Sequence, residues 1–512
     1  MSSPPFDADK YKALMSGLEC SEVNFSAMGD HPDCRWDSEY HAVNIQKNSK
    51  LSYSKLRNLL VVSEYGLSKE MNENGVGVPI YRMNEIHNML CDVNPSKYVD
   101  IERKQIEKYR LRDGDVLFNR TNSDQFVGRT GIFYSNDLNS RVFASYLVRF
   151  VPDKDKLLSE YLTAFLSSKY GQQEIHRRAR PSINQTNVNP EEVKEIEIPL
   201  LSKHLQEKIA YCFRLANKLI IVSEKQYSLT QNILSHELGL DNWQPSQEKI
   251  SVRSVAEVEQ AGRWDAEYYQ PKYDEIKNLL RGFRRAQFSI NTENYIPKPD
   301  REYVYLELGN ILASGIISPD ERQLGEELPT RARRLIHEGQ VIVSSIEGSL
   351  ESCALVTAEY DGAICSNGFF VMNSDDINPE TLLVLMKSQV MQAQMKQLCS
   401  GSILAAVNVA DMESLYLPAV TLECQSKIKS LVTEMYACHH SSITLLNAAK
   451  RAVEIAIEED ENAALTYLSS QTDTFTDEEY SIDVSQQSLK VAEPEVGDNT
   501  NIDKGIKADE RT

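Results

Sequence analysis

Residues 196–210 read IEIPLLSKHLQEKIA, and residues 415–429 read LYLPAVTLECQSKIK. Each stretch has apolar residues at strand-like positions, then a proline, then the start of a helical pattern. Pro199 and Pro418 are 219 positions apart, and so are Gln206 and Gln425 (418 − 199 = 425 − 206 = 219). Because a fixed offset is typical of a duplicated unit, the two stretches predict a chain built from two similar halves.

Other landmarks repeat in the same order. RWDSEY at 35–40 matches RWDAEY at 263–268, and Gly114 of GDVLF matches Gly339 of GQVIV. The offset falls from 228 (263 − 35) to 219 along the halves. A few loop deletions produce such a drift, because loops tolerate changes in length. The order of the landmarks therefore favours internal duplication over chance similarity.

The segment after each proline predicts a long helix, the first over about 203–236. Both helices show apolar or small residues at spacings of three and four, which is the pattern of a coiled-coil seam. The seam positions are Leu205, Ile209, Cys212, Ala216, Leu219 and Ser223, and then Ile428, Leu431, Met435, Cys438, Ser442, Leu445, Ala449, Ala452 and Ala456. Since neither helix is expected to be stable alone, we expect an antiparallel pair with a globular domain at each end.

The predicted fold class is α+β, with two similar domains joined by two long antiparallel coiled-coil helices. The expected divisions are an N-terminal arm (1–33), a first domain (34–200), a first spacer helix (201–245), a second domain (246–418), a second spacer helix (419–470) and an acidic disordered tail (471–512).

Composition describes an ordinary globular protein, with 41% hydrophobic and 25% charged residues. The sequence has no apolar run of about 18 residues, and its first residues lack the apolar core of a signal peptide. Its nine cysteines are scattered, without a CxxC pair. This usage predicts reduced thiols in a cytoplasmic protein and no structural zinc site.

Charge is distributed unevenly. The net charge is −20, and residues 452–512 hold 16 acidic and 4 basic residues. Residues 101–185, in contrast, hold 15 basic and 10 acidic residues. A mildly basic region within an acidic chain permits contacts to phosphates without requiring them.

The repeated segments resemble a known family. GDVLFNR (114–120), VGRTGIF (127–133), SINQTNVN (182–189) and IEIPL with QEKIA, together with the second copies GQVIVSSIEGS (339–349) and SGSILAAVNV (400–409), are similar to the DNA-specificity subunit of type I restriction-modification systems. The resemblance covers about residues 34–468. It implies that each half is a target recognition domain followed by a spacer helix, and that each domain reads one half of a split double-stranded DNA site.

The resemblance also implies partners. Two methyltransferase subunits carrying S-adenosylmethionine would clamp the DNA, and restriction/translocase subunits using ATP and magnesium would join them. The chain itself is expected to be non-catalytic, without cofactor or metal. It contains neither a [DN]PP[YF]-like loop for base methylation nor a GxxxxGK[ST] phosphate loop.

Candidate DNA contacts follow from side-chain chemistry. Arginine and lysine bind phosphates or guanine, asparagine and glutamine bind adenine, and serine binds either. Loop placement selects Arg120, Asn122, Arg129, Arg177, Arg178, Arg180, Asn184 and Gln185 in the first half, and Arg331, Arg333, Arg334, Ser344, Ser345, Ser349 and Asn367 in the second. Trp36 and Trp264 of the RWDxEY segments are expected to anchor each domain.

A second interpretation remains open from the sequence. The second half lacks the basic clusters of the first, since RRAR at 177–180 aligns with QLCS at 397–400. A non-catalytic scaffold of the same fold in another anti-phage defence assembly, with one domain binding protein rather than DNA, would also fit this difference.

Overall fold

A computed structural model describes residues 7–16, 37, 40–41, 45–182, 185–241, 243–248, 250–318, 322–401 and 405–472. Most of the expected N-terminal arm, and nearly all of the expected acidic tail, lie outside the described residues. Their assignment therefore stays a prediction.

The first half combines short strands with short helices and ends in one long helix. Its strands are β1 (Tyr53–Lys55), β2 (Leu60–Tyr65), β3 (Val78–Tyr81), β4 (Ile86–His87), β5 (Leu90–Cys91), β6 (Lys97–Val99), β7 (Asp115–Asn119), β8 (Thr121–Asn122), β9 (Thr130–Phe133), β10 (Val142–Phe143), β11 (Leu147–Pro152), β12 (Arg180–Ser182), β13 (Gln185–Asn187) and β14 (Glu197–Pro199). Its helices are α1 (Ala8–Met15), α2 (Arg103–Tyr109), α3 (Ser159–Ser167), α4 (Lys169–His176), α5 (Pro190–Val193) and α6 (Lys203–Glu237).

The second half follows a similar order. Its strands are β15 (Ser289–Asn291), β16 (Glu302–Tyr303), β17 (Tyr305–Leu306), β18 (Gln323–Leu324), β19 (Ala332–Leu335), β20 (Val341–Ser344), β21 (Cys353–Leu355), β22 (Ile364–Ser366) and β23 (Phe369–Asn373). Its helices are α7 (Val255–Ala261), α8 (Pro271–Leu280), α9 (Pro379–Met386), α10 (Gln389–Leu398), α11 (Val409–Ser414), α12 (Leu422–Glu458) and α13 (Glu461–Thr472).

The central strand of the first half is the one expected from GDVLF. Gly114 adopts a positive φ of 84° before β7, a conformation that glycine reaches without steric cost. All five residues of β7 are buried, because the strand lies inside a six-stranded sheet of order β2-β11-β7-β9-β5-β4. The next strand after β7, β8, belongs to a separate three-stranded sheet of order β12-β13-β8.

The second half repeats this plan with fewer strands. Its central strand β20 lies in a sheet of order β15-β23-β20-β21, and β17-β22-β19 form a second sheet. The mixture of helices and mainly antiparallel sheets agrees with the predicted α+β class. One expectation fails: Leu415–Pro418 is not a strand, because its contact with Arg285 is a single bridge, whereas β14 pairs with β1 over three residues.

The long helices α6 and α12 pack against each other in antiparallel directions. At one end, Ser202 N–H donates to Glu461 at 3.0 Å; at the other, Thr421 N–H donates to Glu237 at 3.0 Å. Near the middle, the Ser223 hydroxyl donates to the Met435 carbonyl at 3.0 Å. The 35 residues of α6 span roughly 52 Å at about 1.5 Å per residue.

The seam prediction is confirmed for α6, where all six positions are buried. In α12 one position is wrong: Leu431 is half-buried, and Val432 is buried in its place. A pattern of threes and fours leaves such a choice open by one residue, since neighbouring positions border the same apolar stripe. The expected second spacer helix also divides, because α12 ends at Glu458 and α13 begins at Glu461.

The helix pair contributes to two separate hydrophobic cores. One core joins the first half's β7 and α3 with Leu205–Leu219 of α6 and with residues 438–457 of α12. The other joins the second half's β20 and α9 with Leu234 and with residues 424–435 of α12. The hydrophobic core at each end of the helix pair therefore contains residues from both halves of the sequence.

The two glutamines of the repeated segment make equivalent contacts. Gln206 accepts from Leu158 N–H at 2.9 Å and donates to the Leu201 carbonyl at 2.9 Å. Gln425 accepts from Asn378 N–H at 2.8 Å and donates to the Val420 carbonyl at 3.0 Å. Both side chains are buried, so the repeat preserves them because they satisfy buried backbone groups at the start of each helix.

Acidic groups meet where the end of the β4–β5 hairpin approaches α6. Burial raises the pKa of Glu224 to about 7, and burial together with the Glu224 charge raises the pKa of Asp92 to about 8. Glu85, His87 and Arg129 also face this contact. Burial lowers the pKa of His439 on α12 to about 4.

Glu224→Gln is expected to stabilise the protein at pH 8 by about 1 kcal/mol, and by less at pH 5. A carboxyl group whose folded pKa is raised holds a proton that the unfolded chain releases, so its contribution falls as pH rises from about 4.5 to about 7. Glutamine does not ionise and removes this loss. Urea unfolding of both proteins at pH 5 and pH 8 measures the effect; an equal difference at both pH values would contradict it.

Candidate nucleic-acid interface

The structure brings several first-half candidates together beside the end of β7. Arg120 leaves this strand, and its backbone N–H donates to the Tyr146 carbonyl at 3.0 Å. Its own carbonyl accepts from Val188 N–H at 2.9 Å. Asn122 then pairs with Thr186 of β13. The strand end is thus joined to the β12–β13 hairpin, where Arg180 and Gln185 are exposed.

The Arg120 side chain is held in one orientation. Its Nε donates to the Ser145 carbonyl at 3.2 Å, and its guanidinium lies 5.3 Å from the centre of the Tyr65 ring. Tyr65 and Tyr146 are 46% and 45% exposed. Sequence reasoning missed both tyrosines, because they lie on separate strands and only sheet pairing places them beside Arg120.

The basic cluster at 177–180 divides between exposed and buried positions. Arg178 is buried, where it pairs with Glu174 and donates from Nε to the Glu192 carbonyl at 3.1 Å. This corrects its expected role, because a buried guanidinium does not face DNA. Arg177 is half-buried and pairs with Glu174 at 2.9 Å; Arg180 is exposed and pairs with Glu192 at 2.6 Å.

The remaining first-half candidates are spread out. Arg129 is half-buried, stacks on Phe126 at 4.3 Å and donates to the Ile86 carbonyl at 3.3 Å. It therefore lies toward the β4–β5 hairpin. Asn122 is half-buried and accepts from Ser123 N–H at 2.8 Å. Asn184 lies outside the described residues.

Second-half arginines are held by neighbouring oxygens. Arg331 is exposed, pairs with Glu307 at 2.5 Å and donates to the Tyr305 hydroxyl at 3.3 Å. Arg333 donates to the Thr330 carbonyl at 2.7 Å, and Arg334 donates to the Thr292 carbonyl. Asn367 is exposed, and its N–H donates to the Arg331 carbonyl at 2.8 Å, so these two residues are neighbours.

Ser344 and Ser345 are buried, which corrects their expected surface role. The Ser344 hydroxyl lies 3.2 Å from the hydroxyl of half-buried Ser349, and the Ser345 hydroxyl donates to the Gly368 carbonyl at 2.9 Å. Their side chains complete the hydrogen bonding of the strand end and of the turn that follows it.

Backbone hydrogen bonds identify equivalent positions in the two halves. Ser345 N–H donates to Gly368 at 2.8 Å and its carbonyl accepts from Val407 at 2.9 Å, as Arg120 does with Tyr146 and Val188. Ser345 is therefore equivalent to Arg120, and Gly368 to Tyr146. Glu347, which donates from its N–H to the Ala405 carbonyl at 3.0 Å, takes the place of Asn122.

Trp264 is 77% exposed, so it does not anchor the second domain as expected. Other residues of RWDAEY hold the segment instead: Arg263 donates to the Cys399 carbonyl at 2.8 Å, and Asp265 accepts from Tyr268 N–H at 3.1 Å. The expectation failed because the turn is fixed by polar contacts. Trp36 lies outside the described residues.

Among the residues that the structure describes, no group of three or more His, Cys, Asp or Glu side chains is arranged to hold a metal ion. Within the same part of the chain, every helix is too short or too polar to cross a membrane.

Comparison with known proteins matches part of the chain, including this surface, to a family model. Residues 53–227 match the family model of the type I restriction modification DNA specificity domain. The matched segment contains β7, Arg120 and the β12–β13 hairpin.

Curated relatives match over similar lengths. A Methanocaldococcus jannaschii protein assigned as the specificity subunit of type I restriction enzyme MjaX is 31% identical over 173 residues, which cover 33% of this chain and 40% of that protein. The type I restriction enzyme EcoKI specificity subunit of Escherichia coli is 25% identical over 204 residues, covering 38% and 42%. The chain thus spans about two fifths of the length of the curated relatives it matches.

Solved structures match with low similarity. The type I restriction-modification S subunit from M. genitalium aligns with 12% identity and a TM-score of 0.33, over 82% of this chain and 97% of that one. The HsdS subunit from Thermoanaerobacter tengcongensis aligns with 11% identity and a TM-score of 0.27, over 81% and 98%.

Proposed function

We propose that the chain is the sequence-specific DNA-binding subunit of a type I restriction-modification complex, and that it reads a split double-stranded DNA site. The observation that carries this proposal is the family match over 53–227, because the matched segment contains the surface on which Arg120, Arg180 and Gln185 are exposed or half-exposed. Arginine and glutamine side chains are of the types that bind phosphates and base edges.

In this proposal, two target recognition domains lie at opposite ends of an antiparallel coiled-coil spacer. The divisions proposed are 34–200 and 246–418 for the domains, with 201–245 and 419–470 for the spacer helices. A helix of roughly 52 Å exceeds one turn of B-DNA, about 34–36 Å. Two domains at that separation suit two half-sites on one side of a duplex.

The proposed partners are two methyltransferase subunits and the restriction/translocase subunits. S-adenosylmethionine, ATP and magnesium would be bound by those partners, and this chain would be non-catalytic, without a cofactor of its own. A cytoplasmic location belongs to the same proposal. The alternative, a scaffold in another defence assembly with one domain binding protein, has no support in the comparisons.

Deletion of this protein is expected to remove methylation from a split adenine-containing motif in the native genome. The reason is that a methyltransferase without its specificity subunit has no means of selecting the site. Mapping methylated adenines before and after deletion measures this, with re-expression of the intact chain as the control. A methylation pattern that does not change on deletion would refute the proposal.

A further inference from the structure

Arg120 differs from the arginines of the 177–180 cluster in its charge environment. Arg177, Arg178 and Arg180 each pair with a glutamate. Arg120 takes part in no ion pair with a carboxylate of the described residues, and its terminal nitrogens donate no hydrogen bond there. It is half-buried, so its charge is available to a ligand at this surface.

The guanidinium is also fixed in orientation. The bond from Nε to the Ser145 carbonyl at 3.2 Å occupies one edge, and the Tyr65 ring covers one face with its centre 5.3 Å away. A cation at this distance is attracted to an aromatic ring. The two terminal NH₂ groups are left as a planar pair of donors whose direction is set before any ligand arrives.

Such a donor pair matches two classes of DNA group, the phosphate and the O6/N7 edge of guanine. A phosphate contact needs charge but little orientation, and mobile lysines supply it. A base contact needs a fixed plane, because both acceptors must be met at once. Because the plane of the Arg120 guanidinium is fixed, a contact to the guanine edge is favoured over a contact to phosphate.

We propose that Arg120, oriented by Tyr65 and by the Ser145 carbonyl, reads a guanine in the half-site bound by the first domain. Arg120 is the specificity residue, and Tyr65 is its positioning residue. This inference rests on the proposed function and deepens it.

In the part of the second half that the structure describes, this contact has no counterpart. Ser345 replaces Arg120 by the backbone hydrogen bonds given above. Asn291 pairs with Val371 and Val371 with Ile342, so the next residue, Thr292, occupies the position of Tyr65, which pairs with Val148. Two small residues, Thr292 and Ser345, therefore occupy the positions that Tyr65 and Arg120 occupy in the first half. The guanine contact is confined to one half of the site.

The test uses the full chain in complex with its methyltransferase subunits. Binding sites are selected from a random DNA library for the wild type and for Arg120→Ala, Arg120→Lys, Tyr65→Ala and Tyr65→Phe. Arg112→Ala is the matched control, because Arg112 is exposed and precedes the same strand β7 at its opposite end.

In Arg120→Ala, the preference for guanine at one position is expected to fall about 5- to 150-fold, because a bidentate base contact is worth roughly 1–3 kcal/mol. Arg120→Lys should lose a similar preference while keeping its salt dependence, because lysine retains charge but not the planar fork. Tyr65→Ala should lose about 2- to 5-fold, and Tyr65→Phe little. The other half-site and Arg112→Ala should be unchanged.

7-Deazaguanine at the affected position provides a second measurement, because it lacks the N7 acceptor. It should weaken binding by the wild type and have no further effect on Arg120→Ala. An unchanged motif in Arg120→Ala, or full recovery by lysine, would overturn the guanine contact and leave the proposed function standing. A wild type that selects no motif would overturn the proposed function and this inference with it.

Discussion

Arg178→Ala is expected to lower the free energy of unfolding by about 3 kcal/mol. The guanidinium is buried with Glu174 and donates to the Glu192 carbonyl. Its loss leaves buried acceptors without their donor. Arg177 continues to pair with Glu174, which holds the expected effect at the lower end of the range for a broken buried ion pair.

Arg120→Ala provides the contrast, since this side chain is half-buried and has no carboxylate partner among the described residues. Its unfolding free energy should change by less than about 1 kcal/mol. Urea unfolding and DNA affinity are measured for both variants at a temperature where both are folded. We expect Arg178→Ala to change stability and Arg120→Ala to change DNA recognition; the reverse result would show that the two arginines have been assigned the wrong roles.

Leu445→Ala is expected to destabilise the first half by about 2–5 kcal/mol, although Leu445 follows the whole second half in the sequence. The side chain is fully buried in the core that contains β7, α3 and the first part of α6. Truncation leaves a cavity there. Hydrogen exchange is the measurement, and protection should fall in β7 and α3 more than in β20 and α9.

Ile428→Ala is the matched variant on the same helix. Ile428 is buried in the other core, with β20 and α9, so its truncation should expose the second half instead. Equal loss of protection in both halves for either variant would show that the two cores unfold as one unit.

The long helices and the central strands were predictable because their signals are local. A run of apolar residues between Gly114 and a polar turn specifies a buried strand, and a repeat of threes and fours specifies a helix stripe. The ambiguity between Leu431 and Val432 shows the limit of that reading. Local spacing locates the stripe but not which of two adjacent residues lies at its centre.

The candidate interface was less predictable because burial depends on distant partners. Arg177, Arg178 and Arg180 are near neighbours in sequence and chemically identical. Their environments differ because Arg178, just after α4, is buried beside Glu174 of that helix, whereas Arg180 lies on the exposed strand β12. Tyr65 joins Arg120 only through the pairing of β2, β11 and β7, and no short motif records that pairing.

The shared core also sets an order for synthesis. The part of α6 that enters the first core ends at Leu219, but that core also contains residues up to Leu468, which are made 249 residues later (468 − 219). At about 5–20 residues per second, that interval lasts about 10–50 s. During it the nascent first half carries an uncovered apolar surface, while the whole second half is still being translated. The helix pairing that joins the two halves therefore delays completion of the first half until nearly all of the described chain has left the ribosome.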